Sequence, residues 1–91
     1  MAIDSVRLLT DSAAQLYRRL SALRPLEAAG SPFDEWLGAA QRLDHAEEQA
    51  LRRDYRRLVT MIDELETLVR SRPRALDLVR ERAAQPEGFR P

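Results

Sequence analysis

Residues 51–69 read LRRDYRRLVTMIDELETLV, and the positions of the apolar residues in this stretch decide the fold of the chain. They recur every three or four residues, which is the spacing of one face of an α-helix and not of a β-strand. The principal positions are Leu51, Tyr55, Leu58, Ile62, Leu65 and Val69, widened by Val59, Met61 and Leu68. The pattern therefore predicts a long amphipathic helix whose apolar face has to be covered.

The start of this helix is predicted further upstream, at Ser31-Pro32-Phe33-Asp34. The serine can cap the helix, proline suits its first position, and the acid complements the positive end of the helix dipole. Pro73 disfavours helical geometry in the residue before it and so limits the other end. The sequence predicts one helix over 32–70, with Gly38 as its weakest position. The polar stretch 44–49 leaves open a break into two helices.

A first helix is predicted before this long one. Its apolar residues are spaced alternately by three and four positions from Val6 to Leu23, which is the heptad pattern of a helix–helix seam. Asp4 can cap it and Pro25 limits its end, so we expect a helix over about 4–24. A tight connection to the second helix makes the two run antiparallel as a helical hairpin.

A short third helix is predicted after Pro73, over about 74–84. The last residues, 85–91, contain two prolines and a glycine and are expected to be irregular. The predicted fold is therefore all-α, with a single helical domain over 1–84. It is an antiparallel helical hairpin with a long second helix and a short third helix, completed as a bundle by dimerisation.

Composition narrows the functional classes. The 91 residues contain 15 basic side chains, all of them arginine, and 15 acidic ones, so the net charge of zero weakens the electrostatic case for nucleic acid. The chain has no cysteine, which excludes disulfides and thiolate metal sites. It shows no signal-peptide pattern and no apolar run near the ~20 residues that span a bilayer. We expect a cytoplasmic protein without a membrane segment or a cofactor.

A mismatch of helix lengths predicts an interaction surface. The first helix can cover only about residues 33–55 of the second, and the third helix has too few apolar residues to cover the rest. The exposed, partner-binding residues are then predicted to be Leu58, Met61, Ile62, Leu65, Leu68 and Val69. A second copy of the chain, in a two-fold homodimer, or another helical protein would cover them. The alternative is a compact monomer, formed if the second helix breaks within 44–50.

These observations predict a non-enzymatic protein–protein interaction module: an adaptor, chaperone or assembly factor. In size and composition the chain is similar to flagellar and type III secretion chaperones, which are short helical hairpins. An alternative is a nucleic-acid-binding regulator. Its candidate phosphate contacts are the arginines around Tyr55, namely Arg52, Arg53, Arg56 and Arg57.

No catalytic, cofactor-binding or metal-binding residue is predicted, and the only histidine, His45, is interpreted as a surface residue. A further alternative rests on resemblance to the small all-α chorismate mutases. That resemblance implies counterparts of an enzyme active site at Arg7, Arg24, Glu48 and Gln85, although Pro25 interrupts the long first helix of that family. The segment Leu16-Tyr17-Arg18 also resembles the signature of the LYR-motif proteins, whose downstream Phe-Arg is missing here.

Overall fold

In a computed structural model that describes residues 2–24, 33–38 and 43–85, all regular structure in the described residues is α-helical. Four helices follow one another along the chain: α1 (Ala2–Leu23), α2 (Phe33–Leu37), α3 (His45–Val69) and α4 (Arg72–Ala84). The helices α1, α3 and α4 all pack against one another, and α2 packs on α3. The predicted all-α fold is confirmed, as a bundle of three main helices with a short fourth.

The prediction of one helix over 32–70 is wrong. The helix α2 ends at Leu37, and Gly38 follows with a φ of +76°, a backbone conformation that glycine adopts without strain. A Cβ at this position would collide with the guanidinium of Arg24, which donates a hydrogen bond to the carbonyl oxygen of Leu37 at 2.9 Å. The proposed capping residues Ser31 and Pro32 lie outside the described residues.

The acidic stretch that begins at Asp44 is the start of a new helix. The backbone N–H of Glu47 donates to the Asp44 carboxylate at 2.8 Å, and the Glu47 carboxylate accepts from the Asp44 N–H at 3.4 Å. This reciprocal pair is a capping box, which satisfies two N–H groups that have no partner inside the helix. The hydrogen bond from the Glu47 N–H also lowers the pKa of the Asp44 carboxyl below its ordinary value.

A tight turn connects α3 to α4. Arg70 ends α3 in the left-handed conformation, with φ of 59° and ψ of 33°. Ser71 then caps α4 by accepting a hydrogen bond from the Arg74 N–H at 3.3 Å. The Arg72 guanidinium reaches back to the carboxylates of Asp63 and Glu66, both at 2.8 Å, and these hydrogen bonds raise its pKa. The two helices are thereby joined as an antiparallel pair.

The core lies where α1, α3 and α4 meet. Its members share near-zero exposure and include Ala13, Leu16 and Leu20 of α1, Tyr55, Leu58, Ile62 and Leu65 of α3, and Ala75 and Val79 of α4. At one end of this core, α2 buries Phe33 and Trp36 against Tyr55, with ring centroids 5.2–5.8 Å apart. The first aromatic residues of the predicted long helix are thus core anchors.

Candidate functional site

Three of the six predicted partner-binding residues are part of the core. Leu58, Ile62 and Leu65 are each 0% exposed within a single copy of the chain, so they are not available to a partner. The reason is the break before His45. Because of this break, α3 has only 25 residues, and α1, with 22, runs along most of the length of α3. The helix α4 packs against both α1 and α3.

The remaining apolar residues of this helix lie on a neighbouring face. Met61 and Val69 are half-buried, and Leu68 is 43% exposed. Met61 and Leu68 line a groove between α1 and α3, on the side of this helix pair that α4 does not line. The groove consists of two adjoining depressions of about 340 and 330 Å³.

This α1–α3 groove is lined by ten residues: Ser5, Leu8, Leu9 and Ser12 of α1, and Arg56, Arg57, Thr60, Met61, Glu64 and Leu68 of α3. Ser5 and Leu8 adjoin Leu68 at one end, whereas Leu9 adjoins Arg57 further along, so α1 and α3 run antiparallel. Leu8 is 67% exposed, more than Leu23 at 48% or Leu68 at 43%.

Leu8 was missed by the sequence analysis because it lies off the heptad stripe of α1. A signal was nevertheless present. Leu8 lies beside the stripe residue Leu9, just as Met61 and Leu68 lie beside the stripe of α3. On two antiparallel helices, such off-stripe residues form a second apolar seam next to the first.

Three charged residues of the groove have no counter-ion among the described residues. Arg56, Arg57 and Glu64 are exposed, and none of them forms an ion pair with another described residue. Arg57 and Glu64 lie on either side of Thr60 and Met61, so the groove presents positive charge towards one end and negative charge towards the other.

The predicted arginine stripe is divided by the structure. Arg52 pairs with Asp34 at 3.1 Å and lies over the ring of Phe33, with its guanidinium carbon 4.6 Å from the ring centroid. Its charge is therefore used to hold α2 against α3. The other three, Arg53, Arg56 and Arg57, are exposed and form no ion pair with a described residue.

Arg18 binds the end of α4 within the same chain. Its guanidinium donates to the carbonyl oxygens of Ala83 and Arg82, both at 3.0 Å, and of Gln85 at 3.2 Å. These carbonyls belong to the last turn of α4, where intrahelical donors are lacking. Nearby, Asp11 accepts a hydrogen bond from Arg82 at 2.6 Å. The LYR-like segment therefore has an intramolecular, structural role here.

The residues singled out for other chemistry lie apart. His45 is exposed in the first turn of α3, and in the described part of the chain no group of three or more histidine and acidic side chains is placed to hold a metal ion. Of the residues implied by the chorismate mutase resemblance, Arg24 binds the end of α2, whereas Gln85 accepts from Arg82 at 2.8 Å. None of the described helices has the length and apolar character needed to cross a membrane.

Comparisons with known proteins found no matching family model, no similar curated protein and no similar solved structure.

Proposed function

We propose that the chain is a non-enzymatic, α-helical protein–protein interaction module of the cytoplasm, and that it binds a helical surface in the α1–α3 groove. The single observation that carries this proposal is the exposure of Leu8 and Leu68 on the one groove of the helix pair that α4 leaves open. Grooves between two packed helices are where a further helix adds to a bundle, with its apolar residues spaced at three and four positions.

The energetic argument concerns the leucines. Burying a large aliphatic side chain contributes about 1.5–3 kcal/mol, and a small domain has a total stability of only about 5–15 kcal/mol. Leu8 forgoes most of this contribution in the isolated chain, and Leu68 forgoes a substantial part of it. A partner that covers both of them, together with the half-buried Leu9 and Met61, gains that free energy on binding.

Site-specific photo-crosslinking in the cells that produce the protein tests this proposal. A benzophenone amino acid is placed at Leu8 or at Leu68, and at the exposed α4 position Asp77 as the matched control. We expect a defined covalent adduct from both groove positions and none from position 77. Mass spectrometry then identifies the crosslinked chain. The absence of an adduct at both groove positions would refute the proposed function.

A second candidate function is favoured by three arginines that form no ion pair with a described residue, Arg53, Arg56 and Arg57. Guanidinium groups along one helix can follow a phosphate backbone, with an affinity that falls steeply as salt is added. This candidate predicts salt-dependent retention of the protein by DNA or RNA, and loss of that retention when all three arginines are replaced by alanine. No retention at low salt would eliminate it.

A further inference from the structure

The groove carries two opposite charges on α3, one on each side of Thr60 and Met61. Arg57 and Glu64 both line it, both are exposed, and neither pairs with another described residue. They are seven residues apart, which corresponds to about 10.5 Å along the axis and a rotation of only about 20°. The midpoint between them falls between Thr60 and Met61, which line the same groove.

This arrangement is self-complementary. A two-fold axis can be placed at right angles to α3, beside the helix and not through it, level with the midpoint between Thr60 and Met61. When a second copy is placed by that axis, its α3 runs antiparallel to the first. Arg57 of each copy then faces Glu64 of the other, which gives two equivalent ion pairs across the interface.

We infer that the occupant of the α1–α3 groove is a second copy of this chain, related by a two-fold axis between Thr60 and Met61. The inference rests on the proposed function, since it names the partner for the same groove. It makes the interface isologous, so each leucine of the groove is buried twice, once in each copy.

The side chains near the axis suit a close approach. Ser12 and Thr60 are small, and Met61 lies next to its own counterpart, where its flexible thioether can adapt to an irregular surface. Leu8 and Leu68 lie further from the axis and are covered by the second copy. The zero net charge of the chain means that two copies approach without long-range repulsion.

Charge reversal tests the pairing. We expect the wild-type chain, at tens of micromolar, to show about twice its monomer mass of 10.4 kDa in light scattering. Arg57→Glu or Glu64→Arg alone places like charges across the axis twice, and each should weaken dimerisation about 10-fold or more. The double variant Arg57→Glu/Glu64→Arg restores opposite charges and should recover the wild-type dissociation constant to within a few-fold. Arg74→Glu, at an exposed position of α4 outside the groove, is the control and should leave dimerisation unchanged.

A cysteine experiment tests the position of the axis independently. The chain contains no cysteine, so a single introduced cysteine can form a disulfide only with the same cysteine of the second copy. A residue at the axis meets its own copy, and a disulfide needs Cα atoms about 4.4–6.8 Å apart. Thr60→Cys should therefore form a disulfide-linked dimer under mild oxidation. Thr67→Cys, about 10 Å further along the same exposed side, should not.

The outcomes separate this inference from the proposed function. Any one of three results would overturn the two-fold pairing. The wild-type chain stays monomeric at tens of micromolar, neither single charge reversal weakens the dimer, or the two cysteine variants crosslink equally. If the groove positions crosslink to a different protein while the chain is monomeric, the pairing is overturned and the interaction module is retained. Circular dichroism of each variant confirms that the helices are intact.

Discussion

The two flanks of α1 use the same kinds of residue in different ways. On the flank towards α4, charged side chains are paired inside the molecule: Asp11 with Arg82, and Arg18 with the last carbonyls of α4. On the flank towards the groove, Arg57 and Glu64 of α3 line the groove together with Leu9, and neither forms an ion pair with a described residue. Charged side chains therefore join α1 to α4 on one flank, whereas those of the groove flank pair with no other described residue.

The largest expected effect separates the core from the groove within one turn of α3. Ile62→Ala should destabilise the protein by about 2–5 kcal/mol, because it removes a wholly buried side chain and leaves a cavity. Met61→Ala, one residue away and half-buried in the groove, should cost clearly less. Urea denaturation at low protein concentration measures both. Equal losses would mean that the two faces of α3 are not distinct.

A smaller effect is expected on the closed flank. Arg18→Ala removes three hydrogen bonds to the end of α4 and should cost about 1–2 kcal/mol, together with faster hydrogen exchange in the last turn of α4. The neighbouring exposed Arg19, replaced by alanine in the same way, should change stability by less than about 0.5 kcal/mol. Unchanged exchange in Arg18→Ala would contradict the role of Arg18 as a cap.

The start of α3 gives a pH-dependent prediction. The pKa of Asp44 is lower in the folded chain, chiefly because the Glu47 N–H donates to its carboxylate, so folding favours the ionised form. Its contribution is fully present above the unfolded pKa of about 3.9 and is lost as pH falls through the lower folded value. Asp44→Asn keeps a capping oxygen but does not titrate.

We therefore expect the variant Asp44→Asn to lose less stability than the wild type between about pH 5 and pH 2. Thermal unfolding of both proteins across this interval measures the difference. Parallel curves would show that the capping carboxylate does not contribute to the pH dependence.

The smallest effect on folding is expected in the groove itself. Leu8→Gln combined with Leu68→Gln should change the stability of the monomer by only about 0.5 kcal/mol per site, since both side chains are substantially exposed. At protein concentrations low enough to keep the chain monomeric, the same variant should lose the binding of an apolar fluorescent dye, which Leu23→Gln, at the far end of α1, should retain. Undiminished dye binding would place the exposed apolar surface elsewhere.

Most of the helices were predictable from local sequence. The apolar spacing in α1 predicted 4–24 and the structure has Ala2–Leu23, while the segment after Pro73 predicted 74–84 and the structure has Arg72–Ala84. In both segments, periodicity and proline indicate the same bounds. The apolar stripe of α3 followed from its spacing, but the prediction that a partner covers it was wrong for Leu58, Ile62 and Leu65, which are buried within one copy.

The break before α3 was missed, although the sequence contains its signals. Asp44 and Glu47 have the spacing of a capping box, and Gly38 is a weak helix former. Two charge pairs at i,i+4, Glu48 with Arg52 and Glu66 with Arg70, favour one continuous helix. Each such pair contributes only about 0.2–0.5 kcal/mol, whereas a capping residue contributes about 0.5–2 kcal/mol. Because the contribution of the cap is the larger one, it favours the break over a continuous helix.

The site was predictable only in part. Met61 and Leu68 were predicted to bind a partner, and both line the groove. Their contact with a partner stays a prediction. Which of two neighbouring faces of α3 is covered depends on α4, whose Ala75 and Val79 pack into the core. The spacing of residues within α3 holds no information about that long-range contact.

The uninterrupted helix from His45 to Val69 also limits how the chain can change in length. Each residue of an α-helix turns the chain by about 100°, so one insertion near Thr60 would rotate everything after it. Ile62 and Leu65 would leave the interior, and polar residues of the opposite side would enter it. We therefore expect point substitutions in the α1–α3 groove to be compatible with folding, and insertions or deletions within this helix to disrupt the core.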